Sequence, residues 1–183
     1  MPFTFTGTSL KGVILIESKV FADSRGYFME SFKSSHFKKA GIDFDFLQDN
    51  HSFSRSGVIR GLHYQKYPME QGKLVSVISG KIFDVAVDIR PNSETFSRWL
   101  GTVLSDKNRT ILWIPPGFAH GFQALRDSHV YYKATSEFSP KHEMGIRWND
   151  PTIAIKWPLD NPFVSEKDSD LPFFVDISNL RGD

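Results

Sequence analysis

Short apolar segments that alternate with polar residues recur along the chain, and many of them are rich in β-branched side chains. The clearest are residues 13–16, 74–78, 81–88 and 109–114. Alternation with a period of two is typical of β-strands, because successive side chains point to opposite faces of a sheet. Glycine, proline and aspartate bound these segments, for example in 23–26 and 115–117. The pattern therefore predicts an all-β protein of many short strands.

The connections add detail to this prediction. Ser79-Gly80 separates two of the apolar segments, which predicts a hairpin there. Residues 34–40 predict a short helix that begins with a serine cap and ends before Gly41, and a second short helix is expected near 93–99. Because strands do not alternate with long helices, a jelly roll or sandwich is favoured over a βαβ fold. Residues 158–183 are expected to wrap over the surface of the same domain.

Length and composition narrow the class of protein. A chain of 183 residues predicts one domain, spanning 1–183. Its formal net charge of +1 makes nucleic acid an unexpected partner. The absence of cysteine excludes disulfides, thiolate nucleophiles and thiolate metal ligands. No signal peptide is recognisable, and no apolar run approaches the roughly 18 residues of a membrane span. We therefore expect a cytoplasmic protein that does not enter a membrane.

Two segments, 60–65 and 115–121, each place a histidine just after a turn that contains glycine. They resemble the two histidine motifs of cupins. In metal-binding cupins the first motif supplies two histidines and a glutamate, but Gln65 occupies the position of the second histidine here. Glu70 remains, yet an amide is a weak substitute for an imidazole ligand. We therefore expect no metal.

His63 is the candidate for chemistry within these motifs. An isolated histidine is most simply explained as a buried side chain whose two nitrogens are both hydrogen-bonded. Arg60 and Lys73 lie near His63 in the sequence, and a barrel mouth would gather them with His120 on one concave surface. Such a group of cations suits an anionic substrate and an oxyanion that develops during reaction.

Eight segments resemble, in the same order, those of the dTDP-4-dehydrorhamnose 3,5-epimerase family of cupins. They are residues 21–30, 48–52, 58–65, 72–75, 83–90, 113–122, 132–135 and 165–168. The resemblance implies a cupin jelly-roll barrel with short peripheral helices, and a homodimer. It also implies an isomerase that needs no cofactor and converts dTDP-4-keto-6-deoxy-D-glucose to dTDP-4-keto-L-rhamnose, a step of dTDP-L-rhamnose biosynthesis.

The resemblance also implies roles for individual residues. His63 would accept a proton, with Asp168 orienting it, and Tyr132 would donate one. Lys73 would polarise the C4 carbonyl of the sugar. The residues expected to hold the dTDP-sugar, some of them across a dimer interface, are Arg25, Glu30, Gln48, Asn50, Arg60, His120, Glu143 and Lys167. Tyr131 adjoins Tyr132, and a slip of one residue in strand register would exchange their roles.

The chemistry accounts for these residue types. A C4 ketone acidifies the hydrogens on C3 and C5, so one carbonyl activates both carbons through enolates that share an oxygen. Other functions stay open at this stage: a single-centre epimerase or ketoisomerase acting on a related nucleotide sugar, a metal-dependent cupin oxygenase or isomerase, and a non-catalytic sugar-binding cupin. Asp84 and Asp88 share one strand face, and a buried carboxylate there requires partners or a function.

Overall fold

The computed structural model describes residues 2–174, and this part of the chain confirms the all-β prediction. Its strands are β1 (Phe3–Gly7), β2 (Ile14–Ser18), β3 (Val20–Asp23), β4 (Gly26–Met29), β5 (Gln48–Ser54), β6 (Ile59–Gln65), β7 (Lys73–Ser79), β8 (Lys81–Asp88), β9 (Trp99–Ser105), β10 (Thr110–Ile114), β11 (Phe118–Ala124), β12 (Ser128–Ala134) and β13 (Glu143–Gly145). The helices are α1 (Ser34–Lys39) and α2 (Glu166–Ser169). No helix within 2–174 is long and apolar enough to cross a bilayer.

Two antiparallel sheets form the body of the jelly roll. One has the strand order β1-β2-β10-β7-β12-β5 and the other β13-β6-β11-β8-β9, while β3 and β4 pair as a separate hairpin. The largest apolar cluster joins the sheets: Val75 and Leu112 of the first pack with Ala86 and Phe122 of the second. The sheets therefore pack face to face, with their alternate apolar side chains in the shared core.

The outer face of each sheet is also covered in part. Phe37 of α1 packs with Ile16 and Trp113 on the six-stranded sheet. Segments beyond β13 place Ile146 and Ile153 against the five-stranded sheet. Burial on both faces explains why segments such as 81–88 are more apolar than strict alternation requires.

The predicted hairpin at Ser79-Gly80 is wrong. The strands that flank this turn, β7 and β8, belong to different sheets, so the chain crosses the core here. Gly80 has a φ of 96°, and a Cβ on it would lie 2.2 Å from the carbonyl oxygen of Asp127. The glycine does mark a tight turn, but the local sequence does not encode whether the next strand returns to the same sheet.

The helix predictions were partly correct. α1 lies where a helix was expected, but its N-cap is Lys33, without a side-chain hydrogen bond, so the predicted serine cap is wrong. The expected helix near 93–99 is absent, and turns occupy that stretch before β9 begins. The hydroxyls of Ser93 and Thr95 donate instead to Asp88 Oδ2, each at 2.6 Å. This alternative bonding of side chains explains the missing helix. The short α2 was not predicted.

Asp84 and Asp88 both face the shared core, as do the apolar residues Ile82 and Ala86 of the same strand. Burial opposes the ionisation of Asp88, but Arg90, Ser93 and Thr95 hold its pKa at about 2. Asp88 is thus a satisfied structural carboxylate. Asp84 has a different environment, because its hydrogen-bond partner is His120, which lines the cavity described next.

Candidate active site

A cavity of about 380 Å³ opens between the two sheets. Eight of the twelve residues predicted for the site line it: Asn50, Arg60, His63, Lys73, His120, Tyr132, Lys167 and Asp168. They come from both sheets and from α2, so the fold gathers side chains that are far apart in sequence. Most are charged or polar, which suits a polar anionic ligand better than an apolar one.

The other four predicted residues lie outside the cavity lining. Gln48 donates from Nε2 to Asn50 Oδ1 at 2.8 Å, and Glu143 accepts from Lys167 Nζ at 2.6 Å, so both support lining residues. Arg25, on the turn between β3 and β4, has a side chain 88% exposed and pairs with Asp23. Glu30 pairs with Lys33 just beyond β4. The structure thus does not bring Arg25 or Glu30 into the cavity of their own chain.

Further lining residues were not singled out from the sequence, among them Ser52, Phe122 and Ser165. Ser52 follows Asn50 by two along β5, so strand alternation was a usable signal for it. Ser165 and Phe122 carried no comparable signal. Their positions depend on how the chain after β13 returns to the cavity and on strand order.

A bulge places Arg60 and His63 on the same cavity. Residues three apart in a regular strand point to opposite faces, but here Arg60 pairs with Phe122 and His63 with His120, so β6 has one extra residue. Gly61 lies within this irregular stretch, with a φ of 132°. A Cβ on Gly61 would lie 2.5 Å from Gly121 Cα, so the close approach of β6 and β11 requires a glycine.

His63 and Asp168 form a hydrogen-bonded dyad. His63 Nε2 donates to Asp168 Oδ1 at 2.7 Å, and the Gly61 amide donates to Oδ2 at 3.1 Å. Burial opposes ionisation of Asp168, but the hydrogen bonds from His63 and Gly61, together with the positive charge of Lys167, keep the Asp168 pKa below its usual value. Because an ionised carboxylate can only accept, Nε2 carries a proton and Nδ1 is left as the basic nitrogen.

The cap of α2 fixes the carboxylate of this dyad. Ser165 is the N-cap residue, and its side chain accepts a hydrogen bond from the Asp168 amide at 3.1 Å. Asp168 itself is buried although the helix has a single turn. The cap therefore holds Asp168 at the position from which it can orient His63.

Tyr132 projects into the cavity from the facing sheet. It packs against the shared core and lines the cavity, whereas its neighbour Tyr131 interacts with Asp49 and Lys133. Burial raises the pKa of Tyr132, and the nearby charge of Arg60 only partly opposes this. The phenol is therefore protonated at neutral pH and available as a proton donor.

Lys73 is a buried cation between these groups. Burial lowers its pKa to about 8, although the charges of Asp84 and Glu143 act in the opposite direction. Its Nζ donates to the carbonyl oxygen of His63 at 3.4 Å. At neutral pH Lys73 is mostly an ammonium group with unused donor capacity, as a binding site for an oxyanion requires.

The donor set does not fit the metal centre of a cupin. Gln65 donates to the carbonyl oxygens of Met69 and Glu137 and accepts from the Ser139 amide, so its side chain is engaged in linking loops. The Nε2 atoms of His63 and His120 are bound to carboxylates. Within residues 2–174 no cluster of three or more histidine, cysteine or acidic side chains is arranged to hold a metal ion.

Comparison with known proteins gives a consistent result. The model of the dTDP-4-dehydrorhamnose 3,5-epimerase family matches residues 7–176. The chain is 52% identical to the dTDP-4-dehydrorhamnose 3,5-epimerase of Methanothermobacter thermautotrophicus, over 91% of each protein. The crystal structure of that enzyme from Sulfolobus tokodaii has a TM-score of 0.89 and 50% identity, and the match covers 94% of this chain and 96% of the other.

A ligand-bound structure is also similar. The dTDP-6-deoxy-D-glucose-3,5-epimerase of Legionella pneumophila, solved in complex with dTDP-4-keto-L-rhamnose, has a TM-score of 0.90 and 44% identity. The match covers 93% of this chain and 92% of that one. These likenesses span nearly the whole chain and agree with the motifs and with the fold. The chain belongs to the dTDP-4-dehydrorhamnose 3,5-epimerase family.

Proposed function

We propose that this chain, acting as a single domain, converts dTDP-4-keto-6-deoxy-D-glucose to dTDP-4-keto-L-rhamnose by inverting C3 and C5. The observation that carries the proposal is the arrangement of acid and base. His63 reaches the cavity from the five-stranded sheet, and Tyr132 reaches it from the six-stranded sheet. A sugar bound between them has a base on one side and an acid on the other, which inversion of a carbon requires.

In the proposed reaction, His63 Nδ1 removes the proton from C3 or C5. The electron pair of the broken C–H bond forms an enolate, whose negative charge resides on the C4 oxygen. Lys73 stabilises that oxygen by donating a hydrogen bond and by its charge, a contribution of about 3 kcal/mol for a good donor. Tyr132 then donates its phenolic proton to the opposite face of the same carbon.

Each inversion leaves His63 protonated and Tyr132 ionised, and proton exchange with solvent restores both. The ketone is regenerated at each step, so atoms and electrons balance without a redox cofactor. A C–H group beside a ketone is a far weaker acid than a phenol. Proton transfer from Tyr132 to the enolate is therefore favourable even though burial raises the Tyr132 pKa. Asn50, Arg60, His120 and Lys167 provide polar contacts for the nucleotide and the sugar.

The function is tested by incubating the protein with dTDP-4-keto-6-deoxyglucose in D2O and following C3 and C5 by NMR. We expect deuterium and inverted configuration at both carbons, with the rate unchanged after dialysis against EDTA. Label at a single carbon would identify a single-centre epimerase, and migration of the ketone would identify a ketoisomerase. Turnover that EDTA abolishes and one divalent ion restores would indicate a metal-dependent cupin. Binding of the sugar nucleotide without incorporation of deuterium would indicate a non-catalytic protein.

The proposal includes a homodimer in which the β3–β4 hairpin of each protomer reaches the cavity of the other. The hairpin exposes Phe21, Tyr27 and Phe28, and Arg25 stands at its tip. Exposed aromatic side chains on a projecting hairpin favour contact with a second copy. Partner contribution would also explain why Arg25 and Glu30 lie outside the cavity of their own chain.

We expect a dimer by sedimentation at micromolar concentration, and complementation between two impaired variants. Arg25→Ala and His63→Ala should each turn over poorly. After mixing and subunit exchange, each hybrid dimer has one site with an intact His63 and an intact partner Arg25, so the mixture should regain up to about a quarter of the normal rate. A fully active monomer, or a mixture no better than its components, would contradict the shared site.

A further inference from the structure

Ser52 lines the cavity from β5, but its hydroxyl has no hydrogen-bond partner. The Oγ atom is buried and forms no hydrogen bond with any group in the described part of the chain. An unpaired polar atom in the interior costs free energy and is uncommon in native proteins. At the wall of a cavity a bound ligand can supply the partner. Rotation about the Cα–Cβ bond turns a serine hydroxyl among three staggered directions, so an acceptor in the cavity can engage Ser52.

The neighbours of Ser52 on the same strand face are paired within the protein. The face of β5 that points inward carries four polar side chains, Gln48, Asn50, Ser52 and Ser54. Gln48 Nε2 donates to Asn50 Oδ1 at 2.8 Å, and Arg60 Nε donates to Ser54 Oγ at 2.9 Å. Ser52 therefore lies between two satisfied side-chain pairs, and the missing partner is specific to its position.

The register of three neighbouring strands places Ser52 in a diagonal row with Tyr132 and Lys73. In the order β7-β12-β5, Ser52 pairs with Val130, which lies two residues before Tyr132. Lys73 pairs with Ala134, which lies two residues after Tyr132. All three side chains of the row line the cavity. Tyr132 is thus in the middle, with Lys73 on one side of it and Ser52 on the other.

This row determines which end of the substrate Ser52 faces. Under the proposed function, Lys73 contacts the oxygen on C4 of the sugar. C1 lies across the hexose ring from C4, and C1 carries the diphosphate of a sugar nucleotide. When Lys73 holds the C4 oxygen and the ring lies beside Tyr132, the phosphate on C1 therefore lies at the Ser52 end of the row.

Arg60 supplies a positive charge at the same end. Its Nε donates to Ser54 Oγ at 2.9 Å, and its Nη2 donates to the carbonyl oxygen of Phe53 at 3.0 Å. The guanidinium is thus held against the two residues that follow Ser52, by bonds that use two of its five N–H donors. A guanidinium beside a hydroxyl suits a phosphate, whose oxygens accept strong charge-assisted hydrogen bonds.

Resting on the function proposed above, we propose that Ser52 is a substrate-binding residue. Its hydroxyl donates a hydrogen bond, beside Arg60, to the phosphate attached to C1 of the sugar. The hydroxyl is unpaired in the free protein and gains its partner when a nucleoside diphosphate binds. The free-energy cost of the unpaired group is therefore present before binding and removed in the complex, which strengthens binding.

The direct test measures the affinity for dTDP by isothermal titration calorimetry, because the terminal phosphate of dTDP is the one that carries the sugar in the substrate. Ser52→Ala should weaken dTDP binding by about 10-fold. The thermal midpoint of unfolding of the free protein should not fall, since the substitution removes an unpaired polar atom. Ser18→Ala is the matched control. Ser18 lies on β2 of the same sheet and also has a buried, unpaired Oγ, but it lies outside the cavity lining, so its substitution should leave dTDP affinity unchanged.

A second titration with dTDP-glucose separates the phosphate from the sugar. An equal loss of affinity for dTDP and dTDP-glucose in Ser52→Ala would support the phosphate contact. A loss for dTDP-glucose alone would place the hydroxyl on the sugar and overturn the proposal, as would unchanged affinity for both ligands. A lower thermal midpoint in Ser52→Ala, or an equal loss of affinity in Ser18→Ala, would also overturn it. Because dTDP binding needs no turnover, a wild-type protein that binds dTDP but does not convert the sugar would contradict the proposed function alone.

Discussion

Tyr132→Phe should separate proton exchange from inversion, so that the first persists while the second is lost. The phenylalanine keeps the packing of the ring and removes the hydroxyl that would protonate the enolate. His63 can still form the enolate and return a solvent-derived proton to the original face. In D2O we therefore expect deuterium at C3 and C5 by NMR, with the original configuration retained at one or both carbons.

His63→Ala should instead abolish exchange and inversion together. Removal of the base prevents enolate formation, and a general base contributes at least roughly 100-fold to such a step. Tyr131→Phe is the matched control, because Tyr131 lies on the other strand face and interacts with Asp49 and Lys133. If Tyr131→Phe loses inversion while Tyr132→Phe does not, the roles of the two tyrosines are exchanged. If neither substitution matters, the acid lies elsewhere and the mechanism fails.

Lys73→Met should make the protein more stable and far less active. The pKa of Lys73 falls from 10.5 in a free side chain to about 8 in the fold. The folded protein therefore binds the proton less tightly than the unfolded chain does, which costs about 3 kcal/mol of stability wherever the lysine is charged in both states. Methionine of similar length avoids this cost, while loss of an oxyanion donor should reduce kcat by about 100-fold or more.

The difference in unfolding free energy between Lys73→Met and the wild type should depend on pH. Below pH 8 the variant should exceed the wild type in unfolding free energy by the full amount, and the difference should shrink as pH rises from about 8 to 10.5. Urea unfolding across this interval measures it. Lys107→Met serves as the control, because Lys107 is exposed, and its substitution should produce no such trend. A Lys73→Met protein less stable than wild type at neutral pH would show that the ammonium group is stabilised by its surroundings.

The sequence predicted the fold class well because strand formation has a local signature. Alternation marked β8 at its full length of Lys81–Asp88 and placed β2, β7 and β10 within one or two residues of their bounds. Alternation could not assign strands to sheets. The residues of the turn at Gly80 are compatible both with a next strand that pairs in the same sheet and with one that crosses the core to the other sheet. The helix expected near residue 93 failed because Asp88, several residues earlier, competes for the hydroxyls of Ser93 and Thr95.

The site was predicted less from spacing than from likeness to a family. Periodicity alone places Arg60 and His63 on opposite faces, and the bulge that brings them together depends on β11. Asp168 had no local signal for pairing with His63, because the two are 105 residues apart. The environments of Asp84 and Lys73 were likewise inaccessible, since burial and charge depend on tertiary structure. The binding and catalytic roles of the predicted site residues stay predictions until the substitutions are made.

The packing of the two sheets carries a consequence for stereochemistry. His63 and Tyr132 belong to different sheets, so the distance between the proposed base and the proposed acid depends on the apolar layer that contains Val75, Leu112 and Phe122. A substitution that thickens or thins this layer would shift one group relative to the other without altering either. Under the proposed mechanism, we therefore expect that a substitution in the hydrophobic core, far from the sugar, can reduce inversion at one of the two carbons.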